Sequence, residues 1–159
     1  MKKCFAVILV IIMLLSLSAC GEKTSGGSGG NSGGTVSAVA GDVCTADIPG
    51  GWCFVSGSDM NGANSADFIC HAKEYKLGDA YLQVEAYGTG IDDAKAVLES
   101  ATPYGAYSGE ADMDNGTWYI AENAAAALIG EKTMLVRGYR CNFNSDEVQA
   151  ILGSLAWVK

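Results

Sequence analysis

The sequence predicts an α+β domain in which a mostly antiparallel β-sheet meander packs with two main helices, and three observations carry that reading. Tyr81 to Tyr87 alternates with period two, which places Leu82, Val84 and Ala86 on one side and Tyr81, Gln83, Glu85 and Tyr87 on the other. Short strand-like runs are joined by turn signals such as Asn115-Gly116 and Gly130-Glu131-Lys132. Two stretches, Ile91 to Ser100 and the C-terminal Ser145 to Ala156, change to helical periodicity.

The chain begins with Met1, Lys2 and Lys3, then runs through an almost wholly apolar stretch from Phe5 to Leu17. A charged start and a short apolar run, followed at once by small residues, is the anatomy of a secretory signal; a spanning helix needs about 20 apolar residues. The segment Leu17-Ser18-Ala19-Cys20-Gly21 resembles the lipobox of bacterial lipoproteins, in which the cysteine thiol becomes a thioether of diacylglycerol and small residues precede the cut. Residues 1–19 are therefore read as a signal peptide and Cys20 as the lipidated N-terminus of the mature chain. Two acyl chains, at about 0.8 kcal/mol per buried methylene, hold a protein on the membrane surface without a spanning helix. The expected location is the extracytoplasmic side of the cell membrane. Residues 20–41 are rich in glycine and serine and read as a flexible tether with a reach of roughly 25 Å, leaving 42–159 as one globular domain.

Removal of residues 1–19 takes Lys2 and Lys3 from the 10 basic residues, which leaves 8 against 18 acidic ones and a formal charge of −10. Such a surface repels phosphate backbones, so no nucleic-acid partner is expected. Cys44, Cys53, Cys70 and Cys141 would face an oxidising compartment after export. Two disulfides, one, or none remain open, with three connectivities for two bridges. No Cys-x-x-Cys or Cys/His cluster occurs, so neither a zinc site nor thioredoxin-like chemistry is assigned.

Within the domain, Val43 to Ile48 and Trp52 to Val55 read as strands joined through Pro49-Gly50-Gly51 into an opening hairpin. Asp67 to Ala72 and Tyr81 to Tyr87 follow as strands. The first helix places Ala94, Val97, Leu98 and Ala101 on one face, with Asp92 and Asp93 at its start to complement the dipole. After Pro103, strands near Ala106 to Asp112 and Thr117 to Ala121 turn through Asp114-Asn115-Gly116, and another hairpin joins Ala124 to Ile129 with Thr133 to Cys141. In the last helix Asn144 or Ser145 can cap, Glu147 sits where a capping box would place it, and Val148, Ile151, Leu152, Leu155 and Ala156 form the apolar stripe.

With the elements placed, Ile48-Pro49-Gly50-Gly51-Trp52, the strand meander, and the ending Glu147-Val148-Gln149-Ala150-Ile151-Leu152-Gly153-Ser154-Leu155 resemble PsbP-like domains over about Val43 to Lys159. That family includes photosystem accessory subunits, a Ran-binding nuclear import factor and bacterial lipoproteins. The resemblance implies a PsbP-like sandwich that acts by binding, with no catalytic set to carry over and with cysteines outside the family pattern.

The remaining candidates are few. His71 is the one histidine and neighbours Cys70, but adjacent strand residues face opposite sides, so it reads as structural. No Gly-x-Ser-x-Gly elbow occurs within residues 42–159. Asp112-Met113-Asp114-Asn115-Gly116 resembles the start of a calcium loop, but Glu122 falls at its eleventh position, not its twelfth, and the Asp59, Asn61, Asn64, Asp67 stretch reads as a polar loop. No metal, cofactor or catalytic residue is assigned. The row Tyr81, Gln83, Glu85, Tyr87 is the candidate binding surface if one sheet face stays uncovered. The expected function is a non-enzymatic binding or assembly module of the cell envelope with a protein partner. The alternatives are a solute- or metal-capturing lipoprotein with a deep polar pocket, and an envelope hydrolase that would need His71 beside a nucleophile and an acid.

Overall fold

The computed structural model describes residues 36–58, 65–72, 76–87, 94–100 and 102–159. The signal peptide, Cys20, and the glycine- and serine-rich stretch up to residue 35 lie outside the described residues, as do Asp59, Asn61, Asn64, Asp92, Asp93 and Ala101. Ten strands are described: β1 (Val36–Ala40), β2 (Cys44–Ile48), β3 (Cys53–Val55), β4 (Ala66–Cys70), β5 (Tyr81–Ala86), β6 (Tyr107–Met113), β7 (Gly116–Ala121), β8 (Ala124–Ile129), β9 (Lys132–Tyr139) and β10 (Ala156–Trp157). Helix α1 spans Ala94–Ser100, a 3-10 turn spans Thr102–Tyr104, and helix α2 spans Asp146–Ser154. The fold is α+β, dominated by antiparallel sheet with two helices, as expected.

The strands form a three-stranded sheet ordered β1-β2-β10 and a seven-stranded sheet ordered β3-β4-β5-β9-β8-β7-β6, with antiparallel pairing throughout. The large sheet is two meanders, β3-β4-β5 and β6-β7-β8-β9, joined where β5 pairs with β9. One face carries Ile69, Leu82, Val84, Met134, Val136, Ala125, Ala127, Trp118 and Ile120 into the main core, where they meet Cys44, Ala46 and Ile48 of β2 and Val148, Ile151 and Leu152 of α2. The other face is covered over β7 and β8 by α1, whose Ala94, Val97 and Leu98 pack on Ala121, Ala124, Ala126 and Leu135 with Tyr104. The two helices lie on opposite faces.

The opening hairpin does not form. The Pro49-Gly50-Gly51 turn, closed by the Trp52 N–H on the Pro49 carbonyl at 3.2 Å and with Gly51 at φ +93°, carries the chain from one sheet to the other. The alternating Cys44, Ala46 and Ile48 of β2 close the main core from the opposite side. β1 lies inside the stretch whose composition reads as tether, so paired backbone is present from Val36. At the β6-β7 hairpin Met113 pairs with Gly116, making Asp114-Asn115 the two-residue turn, and neither has a positive φ. The tight hairpin expected through Asp114-Asn115-Gly116 forms, with Gly116 beginning β7 at φ +137°.

Ser145 caps α2, its Oγ accepting the Val148 N–H at 3.4 Å, so Glu147 falls one position short of the capping-box site. Asn144 is drawn away, its N–H donated to Asn142 Oδ1 at 3.0 Å. The helix ends at Ser154: Leu155 is buried as its C-cap, while Ala156 leaves the expected stripe and stands exposed in β10. Asn115 closes this end, its Nδ2 donating to the Leu152 and Leu155 carbonyls at 2.7 and 2.8 Å while its Oδ1 accepts from Trp118 Nε1 at 2.8 Å. Carbonyls at a helix end otherwise have no intrahelical partner.

Asp67, fully buried on β4, joins the two sheets. Its Oδ1 accepts from Asp42 N at 3.0 Å and Gly57 N at 3.3 Å, and its Oδ2 accepts from Val43 N at 2.7 Å and Cys44 N at 2.8 Å. A Cβ at Gly41 would lie 2.5 Å from this carboxylate, so only glycine lets the chain pass. Asp67→Ala is expected to cost about 3–5 kcal/mol by stranding buried donors, and Gly41→Ala about 2 kcal/mol by displacing the acceptor. Urea unfolding checks both, and a loss under about 1 kcal/mol for Asp67→Ala would contradict this role.

Candidate functional site

Antiparallel register makes neighbouring strands share rows of side chains on one face. On the face turned away from the main core, one row runs Cys53, Cys70, Tyr81, Tyr139 across β3-β4-β5-β9, and the next runs Val55, Phe68, Gln83, Arg137. Helix α1 lies over β7 and β8; on this half of the sheet Ala66 and Cys70 are buried, Phe68, Tyr81, Gln83 and Glu85 are half-buried, and Tyr139 is 43% exposed. Leu82 and Val84, on the opposite face of β5, are fully buried. The period-two reading of β5 thus places Tyr81, Gln83 and Glu85 on the uncovered side. Tyr87 lies one residue past β5, exposed, with its N–H donated to the Thr133 carbonyl at 2.9 Å.

The sequence did not single out the residues that complete this surface. Phe68 meets Tyr81 edge-on at 5.9 Å, Tyr81 stacks on Tyr139 at 5.5 Å, and the Arg140 guanidinium lies 5.4 Å from the Tyr139 ring. Arg137 pairs with Glu85 and lies 5.7 Å from the ring of Tyr104, which ends the 3-10 turn beside α1. The result is a continuous run of aromatic rings bracketed by two arginines and a carboxylate. The β9 sequence hides it, because Thr133 to Val136 are buried on both faces and only from Arg137 onward does one side open. Aromatic side chains offer large area at low entropy cost, and aromatic and arginine side chains are both enriched where proteins bind one another.

The other candidates have structural work. His71 is exposed just past β4 with its ring 4.8 Å from that of Trp52, and among the described residues it makes no hydrogen bond to a serine, cysteine or carboxylate. Among the described residues no group of three or more His, Cys, Asp or Glu side chains could hold a metal ion. Asp112 accepts from Thr117 Oγ1 at 2.7 Å, and Asn115 and Asp67 are committed as described above. A cleft of about 580 Å³ lies between α2 and the ends of β2 and β6, lined by Asp47, Met113, Asp114, Gln149 and Ser154 among others. Its polar groups tie elements together: Asp47 Oδ1 accepts from Ala38 N at 2.6 Å, and Ser154 Oγ accepts from Asp47 N at 3.0 Å.

All four cysteines of the domain are present as thiols. Burial and then the neighbouring Asp67 charge push the Cys44 thiol up. Cys70 is raised chiefly by its hydrogen bond with Cys53 and then by burial. Cys141, whose Sγ donates to the Tyr81 carbonyl at 3.2 Å, is pushed up to about 11, mainly by burial. No family model, no curated protein and no solved structure matches the chain.

A thiol raised in the folded state stabilises fully below its unfolded value of about 8.5 and loses that contribution as pH rises through the folded value. For Cys141 the loss runs from about 8.5 to about 11. Folding stability is therefore expected to fall above about pH 8.5, and Cys44→Ala or Cys141→Ala should flatten the slope relative to wild type. Urea unfolding at several pH values reads this directly. Identical slopes in wild type and both variants would refute it.

Proposed function

We propose that the chain is a lipoprotein anchored through diacylglyceryl on Cys20 and acting on the extracytoplasmic face of the cell membrane as a non-enzymatic binding or assembly module. The anchor rests on the charged start, the apolar run and Leu17-Ser18-Ala19-Cys20. The glycine- and serine-rich stretch after Cys20 gives the domain reach above the membrane. The PsbP-like reading, carried by the Pro49-Gly50-Gly51-Trp52 turn and the terminal helix, belongs to the same proposal and favours binding over catalysis.

One observation carries the binding reading: the Phe68, Tyr81, Tyr139 ladder with Glu85, Arg137 and Arg140, left open beside α1. Stacked rings and paired charges are already held in place on strands, so a partner would not have to order them first. Gln83 lies in the same row as Phe68 and Arg137 and offers an amide at the centre. A protein of the envelope is the partner this surface suits; the formal charge of −10 speaks against nucleic acid.

Crosslinking in intact cells tests both parts. Wild type is expected to capture a reproducible envelope protein, and Tyr81→Ser/Tyr139→Ser, with its fold verified by denaturation, to lose roughly tenfold or more of that capture. Cys20→Ala should leave the membrane fraction. Undiminished capture by the folded double variant would sink the sheet-face assignment, and a Cys20→Ala form that stays with the membrane would sink the anchor.

A further inference from the structure

Two thiols meet at the edge of the seven-stranded sheet. β3 is its edge strand, only three residues long, and Cys53 on it is the direct Cα partner of Cys70 on β4. Opposite residues of an antiparallel pair have Cα atoms about 4.5–5.5 Å apart and side chains on the same face. That spacing falls inside the roughly 4.4–6.8 Å over which two cysteines can be bridged without backbone movement. Cys53 is the foremost cause that raises the Cys70 thiol, so the two side chains lie close enough to interact.

The other cysteines are placed for different work. Cys44 belongs to β2 in the three-stranded sheet, and its N–H is donated to Asp67. Cys141 lies past the end of β9 and donates to the Tyr81 and Tyr139 carbonyls. It is the competitor to test, since it too raises the Cys70 thiol.

We propose that Cys53 and Cys70 are an oxidisable pair that closes into a cross-strand disulfide, with an organic disulfide as the electron acceptor. Cys53, half-buried on a short edge strand, reacts first, because opening such an edge is a low-energy event. Its thiolate, having lost a proton to solvent, attacks one sulfur of the acceptor; a mixed disulfide forms and one thiolate leaves. Cys70, fully buried beside it, loses its proton and attacks the Cys53 sulfur, which expels the second thiolate. Two protein thiols are oxidised to one disulfide and one acceptor disulfide is reduced to two thiols. The bridge fixes β3 to β4 at the Cys53, Cys70, Tyr81, Tyr139 row, beside the aromatic ladder. This inference stands on register alone and holds whether or not the sheet face binds a partner or Cys20 carries lipid.

The full chain, purified under reducing conditions, is exchanged into buffer with excess oxidised glutathione, and its remaining thiols are alkylated. Trypsin cannot resolve the outcome, since no Lys or Arg lies between Cys44 and Cys70. Cleavage before aspartate puts Cys53 in 47–58 and Cys70 in 67–78, with Cys44 and Cys141 on other peptides. The expected result is a linked 47–58/67–78 species that disappears on reduction and persists undiminished in Cys141→Ser. Full alkylation of both Cys53 and Cys70 after prolonged exposure, or a dominant link from Cys70 to Cys141, would overturn the proposal.

Discussion

A single buried carboxylate sets the relation between the two sheets. Asp67 accepts four backbone N–H groups from two separate stretches, 42–44 ahead of and into β2 and Gly57 after β3. An isolated buried charge costs many kcal/mol, and here oriented donors replace the water that was lost. The consequence is geometric. β2 must enter over β4 at a fixed point, Gly41 must pass where no Cβ fits, and Cys44, Ala46 and Ile48 then fall on the core side. Had an apolar residue stood at position 67, the first turn of backbone would have carried unsatisfied donors into the interior.

With that entry fixed, the C-terminal elements can close the core. β10 adds to β2 through Ala156 and Trp157, whose Nε1 donates to the Ile129 carbonyl at 2.8 Å. α2 is thereby held between the sheets, with its end satisfied by Asn115 of the β6-β7 turn. A Cβ at Gly138 would stand 2.5 Å from Phe143, so the chain leading into α2 packs directly on the β9 backbone. The site and the core are linked through β5 and β9: their inward residues Val84, Met134 and Val136 belong to the main core, while Tyr81, Arg137 and Tyr139 stand on the reverse side.

Strand content and most boundaries were legible because local pattern and tertiary burial agree there. β5 and β8 follow their expected limits closely, and Val148, Ile151 and Leu152 point inward as their spacing requires. Failures cluster where a long-range partner outweighs the local signal. Pro49-Gly50-Gly51 looks like a hairpin turn locally, yet Asp67, many residues away, dictates where β2 lies. Val36–Ala40 follows directly on a glycine- and serine-rich run, and its pairing is visible only once β2 is placed. Tyr81, Gln83 and Glu85 were readable as an outward row from alternation alone. Phe68, Arg137 and Tyr139 were not, because which half of a sheet a helix covers is not encoded in the period of any one strand.

The described part of α1 shields only part of this sheet face. Seven residues of α-helix extend only about 10 Å, with a width of about 10–12 Å. Seven strands at about 4.8 Å spacing span nearly three times that. Ala94, Val97 and Leu98 therefore shield β7, β8 and the adjoining part of β9, and no second helix lies on this face among the described residues. Aliphatic side chains on β4 and β5 there would leave an apolar patch in water. The sequence instead places Phe68, Tyr81 and Tyr139, which shield one another by stacking, and lays Arg137, Glu85 and Arg140 across and beside them. Rings and guanidinium groups tolerate solvent and also make strong contacts when desolvated. The same composition suits this sheet face both to contact with water and to burial.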